Sequence, residues 1–124
     1  MSFTTDEMAI IRASITLPYV VELIDSNVAE LQNGKNVLRR MYAMMGWTLL
    51  QQAKQELYDS RRGLSQLRIR VTRIAEVDGV PHFKAYRNGI EKTFGISKDV
   101  MRGEVADHIR RLSAELGSHF KQHG

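Results

Sequence analysis

The hydrophobic pattern of this chain changes period once, and that change decides what it can fold into. As far as Gly63, apolar residues recur at spacings of three and four; beyond it Leu67, Ile69 and Val71 alternate with Arg68, Arg70 and Thr72. A period near 3.6 marks an amphipathic helix, and a period of two marks a strand with one covered face. The order is therefore helices, three strands and a closing helix, an α+β chain.

In the helical region, Thr4-Thr5-Asp6-Glu7 reads as a capping box, with the Thr4 hydroxyl and the Glu7 carboxylate each satisfying an orphan backbone N–H. A short helix is expected through about Ser14. Thr16-Leu17-Pro18 reads as a restart, because proline is tolerated in a first turn. Val20, Leu23, Ile24, Val28 and Leu31 then form one stripe, with Glu22, Asp25 and Glu30 away from it, and Asn33-Gly34 closes this second helix. The longest helix is expected from Asn36, on a stripe of Leu38, Met41, Met45, Leu49, Ala53 and Leu57. Met44, Trp47 and Leu50 widen its apolar face, so its middle must be surrounded by other elements or by a partner chain. Gln51, Gln52, Lys54, Gln55 and Glu56 make its last turns polar, and Gly63 is the expected stop.

Asp78-Gly79 and Asn88-Gly89 tolerate the positive φ of hairpin turns, which makes the strands an antiparallel meander. The second turn sets Phe83 opposite Phe94, with Ala85 and Lys92 on the same face. For the first, Pro81 cannot donate to the ladder, which favours a three-residue loop with a bulge pairing Phe83 with Ala75 over a two-residue loop pairing it with Ile74. In the bulged register Ile69 and Val71 join Phe83, and Arg68, Arg70, His82, Lys84 and Tyr86 share the opposite face. Ser97 and Asp99 open the last helix, whose stripe is Met101, Val105, Ile109, Leu112 and Leu116. Gly117 is its expected end, and Gly103 is expected where backbone approaches something closely, such as the sheet.

The 124 residues suit one domain: helices over residues 1–63, the meander with its helix over 64–117, and a frayed tail over 118–124. No cysteine is present, which excludes Cys-based zinc sites, iron–sulfur clusters and thiol catalysis. The first residues lack a basic region followed by an apolar one, so a cytoplasmic location is expected. The apolar run from Met41 to Leu50 is far short of the ~20 residues of a membrane span, so no membrane partner is expected.

The net charge of +4 conceals an asymmetry. Residues 1–34 hold one arginine against five acids, net −4, and the remainder carries +8. Arg61, Arg62, Arg68, Arg70 and Arg73 fall within thirteen residues that contain no acid. Guanidinium groups bind phosphate oxygens bidentately and a tyrosine ring offers a stacking surface, which makes Arg61, Arg62, Arg68, Arg70, Lys84 and Tyr86 a candidate nucleic-acid surface. The other reading of the sheet residues is an ordinary solvated face. A third possibility is that the acidic first helices of one chain meet the basic region of another.

From Gln52 to Leu116 the order is helix, three strands, helix. Within it, Gly95-Ile96-Ser97-Lys98 leads into Met101, Arg102, Val105, Ala106 and Ile109, and Val80-Pro81-His82 follows the first turn. These residues resemble the helix start, small-apolar spacing and glycine-proline-x-histidine loop of double-stranded RNA-binding domains. The resemblance covers about half the chain and is one of topology. Asp99 stands where that family has a second lysine, several helix residues are larger, and the second hairpin is too short to span a groove.

His119 and His123 have the spacing of two metal ligands on one helix face, without the intervening Glu of a catalytic zinc helix. Glu104 and His108 stand one turn apart, as an acid–base pair or a surface contact, and Asp107 with Arg111 repeats the pattern. Met41, Met44, Met45 and Trp47 form either core or an adaptable oligomer interface. Phosphate-binding, dinucleotide-binding and serine-nucleophile motifs are missing, and no cofactor is implied. The expectation is a small non-enzymatic cytoplasmic binding or regulatory protein acting as a homodimer, with a nucleic-acid-binding module as the alternative.

Overall fold

The computed structural model describes residues 2–34 and 38–123, with side chains as far as residue 117. The Thr4 capping box starts a helix, α1, that runs unbroken over Thr5–Gln32. The expected break before Pro18 does not occur. Pro18 removes one α-helical hydrogen bond, yet Leu17 and Val20 on either side of it are buried in one core and Ile11 and Ile15 before it in another, and that packing holds the two halves in one rod.

Helix α2 spans Arg39–Leu67, so the Asn36 start lies outside the described residues and the Gly63 stop is passed. Its inward face follows the expected apolar face at Leu49, Leu50, Ala53 and Leu57 and leaves it at Met41 and Met45, which are exposed. Ala43, Gly46, Leu50, Ala53, Leu57, Ser60, Leu64 and Leu67 alternate strictly at three and four, and all are buried or half-buried. Small residues on this seam let α2 approach α1 closely, which is the geometry of an antiparallel pair with coiled-coil-like packing. A Cβ at Gly46 would stand 2.7 Å from Val28 Cγ2, and one at Gly63 would stand 3.4 Å from Ile10 Cγ2. Gly63 is thus a packing residue. Termination falls to Arg68, which takes the left-handed conformation (φ 58°) while its N–H donates to the Ser65 carbonyl and that of Ile69 to the Leu64 carbonyl.

Three strands follow, β1 (Arg70–Val77), β2 (Val80–Arg87) and β3 (Ile90–Gly95), antiparallel in sequence order. Both turns are two-residue loops with positive φ at each residue. The second hairpin has the expected register, and the Phe83 and Phe94 rings lie 6.2 Å apart. The first does not. Val77 pairs with Val80, and the extra residue sits inside β1 between Arg73 and Glu76, so Arg73 faces Phe83. Proline is accommodated without lengthening the loop because β3 ends opposite His82, so Pro81 lacks a donor where no strand would use one; its carbonyl accepts from Ile96 N–H at 3.0 Å. A shift of two residues from the expected pairing keeps Val71 on the face of Phe83.

Helix α3 covers Lys98–His123 and continues through Gly117. Met101 reaches the sheet-side core, built on Phe3, Ile11, Ile15, Leu64, Ile69, Phe83, Ala85 and Ile96. Further along, Val105, Ile109 and Leu112 enter a second core with Leu17, Val20, Ile24, Val28, Leu50 and Ala53. The helix therefore leaves the sheet and packs on the α1/α2 pair. Gly103 makes no close approach, since a Cβ there would meet open space.

Alanine is expected to act oppositely at two helical glycines. Gly103→Ala should stabilise by about 1 kcal/mol, the ordinary helix-propensity difference. Gly46→Ala should destabilise by about 1–3 kcal/mol through overpacking. Urea denaturation of Gly46→Ala, of Val28→Ala and of the double variant checks the contact: the double variant should lose less than the two single losses added together.

Candidate functional site

Two kinds of surface stand out, one apolar and one basic. On the first turns of α2 the small-residue seam turns the large side chains outward. Met41, Tyr42, Met44, Met45 and Trp47 are all exposed, Met44 to 71% and Trp47 to 55%. Ala43, Met44 and Trp47 border a shallow groove together with Arg39, Arg40 and Gln32. None of the expected interface residues Met41, Met44, Met45 and Trp47 enters the core of its own chain.

The basic residues are divided among three places. Arg70, Lys84 and Tyr86 lie on the outer face of the sheet, with Arg70 directly opposite Tyr86. Lys84 is partly neutralised there by Glu91 at 2.5 Å. Arg68 is the left-handed residue between α2 and β1 and belongs to neither sheet face. Arg61 and Arg62 project from the last turns of α2. Arg61 turns toward a recess beneath β1 that it shares with Arg73. Among the described residues the side chains of Arg61, Arg62, Arg68 and Arg70 are exposed and make no ion pair or hydrogen bond. Arg73 meets Glu76 at 3.8 Å. The exposed acids Glu22, Asp25 and Glu30 of α1 answer none of these arginines within the chain.

The remaining charges serve the fold. One Glu7 oxygen accepts from the Thr4 N–H at 2.9 Å, completing the capping box, and the other pairs with Arg87 at the end of β2. The Arg87 guanidinium also lies over the Phe3 ring, 5.5 Å from its centre. The hydrogen bond from Arg87 and then that from Thr4 hold the Glu7 carboxyl below the usual carboxylate range, against a smaller opposing effect of burial. Glu104 does not pair with His108. It takes Arg12 and lies 2.9 Å from the Thr16 hydroxyl, joining α3 to α1. Arg111 grips Glu56 of α2 through both nitrogens at 2.6 and 2.7 Å, and Asp107 turns to Arg110. Burial and then the Arg111 charge lower the pKa of His108, whose neutral Nδ1 can accept from Arg111 at 3.1 Å. The side chains of His119 and His123 lie outside the described residues. Among those described, no three His, Cys, Asp or Glu residues are grouped to hold a metal, and no helix is long and apolar enough to cross a membrane.

The Met and Arg clusters were visible as composition. The recess at Arg61 was missed, although a proline inside a helical pattern marks its wall.

Among the described residues, fold and surface together define an α+β arrangement of three helices and three strands with an apolar helix face and arginines that lack an acidic partner. The chain belongs to the YhjD protein family, with a match over residues 2–116. No curated protein and no solved structure matches it.

Because Glu7 binds its proton less readily folded than unfolded, its contribution is complete above the unfolded carboxyl value near 4.5 and is lost as pH falls through the lower folded value. Glu7→Gln should therefore be less stable than the parent at pH 7 and should converge on it in acid. Urea midpoints between neutral and acid pH measure this.

Proposed function

We propose that the protein is a non-enzymatic cytoplasmic binding protein that acts as a homodimer through the first turns of α2. The carrying observation is the outward face of Met41, Tyr42, Met44, Met45 and Trp47. A contiguous apolar patch of this kind on the surface of a domain marks a place of contact. A second copy suits it because the patch is self-complementary: two α2 helices crossing antiparallel near Met44 bring each Trp47 toward Met41 of the other copy. Thioether and indole pack well together, and a two-fold contact uses the same patch twice. Sedimentation at micromolar concentration should give twice the 14.2 kDa chain mass. Trp47, the single tryptophan, should become shielded from quencher as concentration rises. Met44→Glu should yield a folded monomer. A wild-type protein that stays monomeric throughout, or a Met44→Glu variant that remains dimeric, would sink this interface.

A second reading is nucleic-acid binding, favoured by the unanswered arginines at 61, 62, 68 and 70. Its strongest arrangement is Arg70, Lys84 and Tyr86 on the outer sheet face. Binding to duplex or single-stranded RNA or DNA should then fall steeply with salt, and Arg70→Gln with Lys84→Gln should flatten that slope. Absence of retention on filters at low salt rejects the reading.

A further inference from the structure

We propose that the recess where α1, the end of α2 and β1 meet binds a small organic anion with an apolar body. The recess holds about 360 Å³, within the size range of small-molecule pockets. Its floor is core: Ile15, Leu64 and Phe83 line it and are each less than a tenth exposed. An apolar group entering there continues the packing of the sheet-side core.

Two cations stand at this apolar floor, and they come from different elements. Arg61 reaches the recess from α2 and has no acidic partner among the described residues. Arg73 reaches it from β1, where the bulge turns it to the Phe83 side, and its own acid Glu76 stands at 3.8 Å in an exposed pair. Exposed pairs of that kind contribute little and yield readily to a better partner. Both arginines border one small volume, and an anion seated there can take charge-assisted hydrogen bonds from the two guanidinium groups.

Proline supplies the third feature. Pro18 has no N–H, so the Ser14 carbonyl lacks its α-helical donor, and both residues line the recess. A hydroxyl or amine on the ligand would find an acceptor there. The chemistry is thus a carboxylate, sulfonate or phosphate monoester on an aryl or short acyl body. Bare phosphate leaves the floor unused, and a nucleic-acid backbone would engage Arg70 and Lys84 on the opposite face of the sheet. The recess adjoins the last turns of α2 and the dimer face its first turns, so either can fail alone.

Titration of the full chain with 1-naphthyl phosphate, followed by calorimetry and NMR, tests the site, with 1-naphthol and inorganic phosphate as parallel arms. Saturable binding is expected, with shifts at Leu64, Val71 and Phe83 and an affinity at least about tenfold above either parallel arm, as charge-assisted hydrogen bonds combined with apolar burial require. Arg61→Gln with Arg73→Gln should weaken it by at least about tenfold, and Arg62→Gln, outside the recess, should leave it unchanged. Should the double variant not fold, each single variant carries the same comparison. The proposal is overturned by absence of saturation, by equal binding of 1-naphthol, by shifts confined to other surfaces, or by arginine variants that bind as well as the parent.

Discussion

The close approach of α1 and α2 is the constraint on which the rest of the molecule depends. Backbones can come together only where side chains are small, and α2 supplies Ala43, Gly46, Ala53, Ser60 and Gly63 along the line of contact. Val28 fills the space above Gly46 and Ile10 that above Gly63, so the pair is clamped near both ends. With Ala43 and Gly46 inside on the first turns, the bulky residues there have nowhere to go but out. The apolar surface at Met44 and Trp47 is a consequence of this seam.

Charges then fasten the other elements to the pair. Glu7 connects the start of α1 to the last residue of β2, Glu104 connects α3 to α1, and Glu56 with Arg111 connects α3 to α2. Each joins residues distant in sequence, so each adds to tertiary order as well as to local helix. The Glu7 bridge is the least exposed of the three, and it does double duty as a helix cap. The exposed α1 acids Glu22, Asp25 and Glu30 take no part in this fastening, and none of them pairs with the arginines between 61 and 73.

Local chemistry made some of this legible in the sequence. Asp78-Gly79 and Asn88-Gly89 announced the meander because positive φ is a property of those residues themselves, and Thr4 with Glu7 announced a helix start for the same reason. Features that depend on distant packing were not legible. Pro18 reads as a boundary until Ile11 and Ile15 are seen buried in the sheet-side core and Leu17 and Val20, on either side of the proline, in the helical core of the same rod. The start of the seam at Ala43 and Gly46 is invisible to a search for large apolar residues, which finds Met41 and Met45 instead, while Leu50, Ala53 and Leu57 further on were legible. Of the candidate sites, the arginine run could be counted in the sequence, but its division among three surfaces follows from where α2 ends and where β1 bulges. Neither has a local signature: Arg68 is an unusual left-handed terminator, and Ile74-Ala75 gives no hint of an extra residue.

The bulge in β1 bears on how copies of this chain can meet. A flat edge strand offers a ladder of free N–H and C=O groups on which another chain can crystallise as a further strand. Between Arg73 and Glu76 that ladder is out of step, beside the exposed side chains of Ile74 and Val77 that would otherwise make it adhesive. The β1 edge is spoiled as a template for growth by sheet extension.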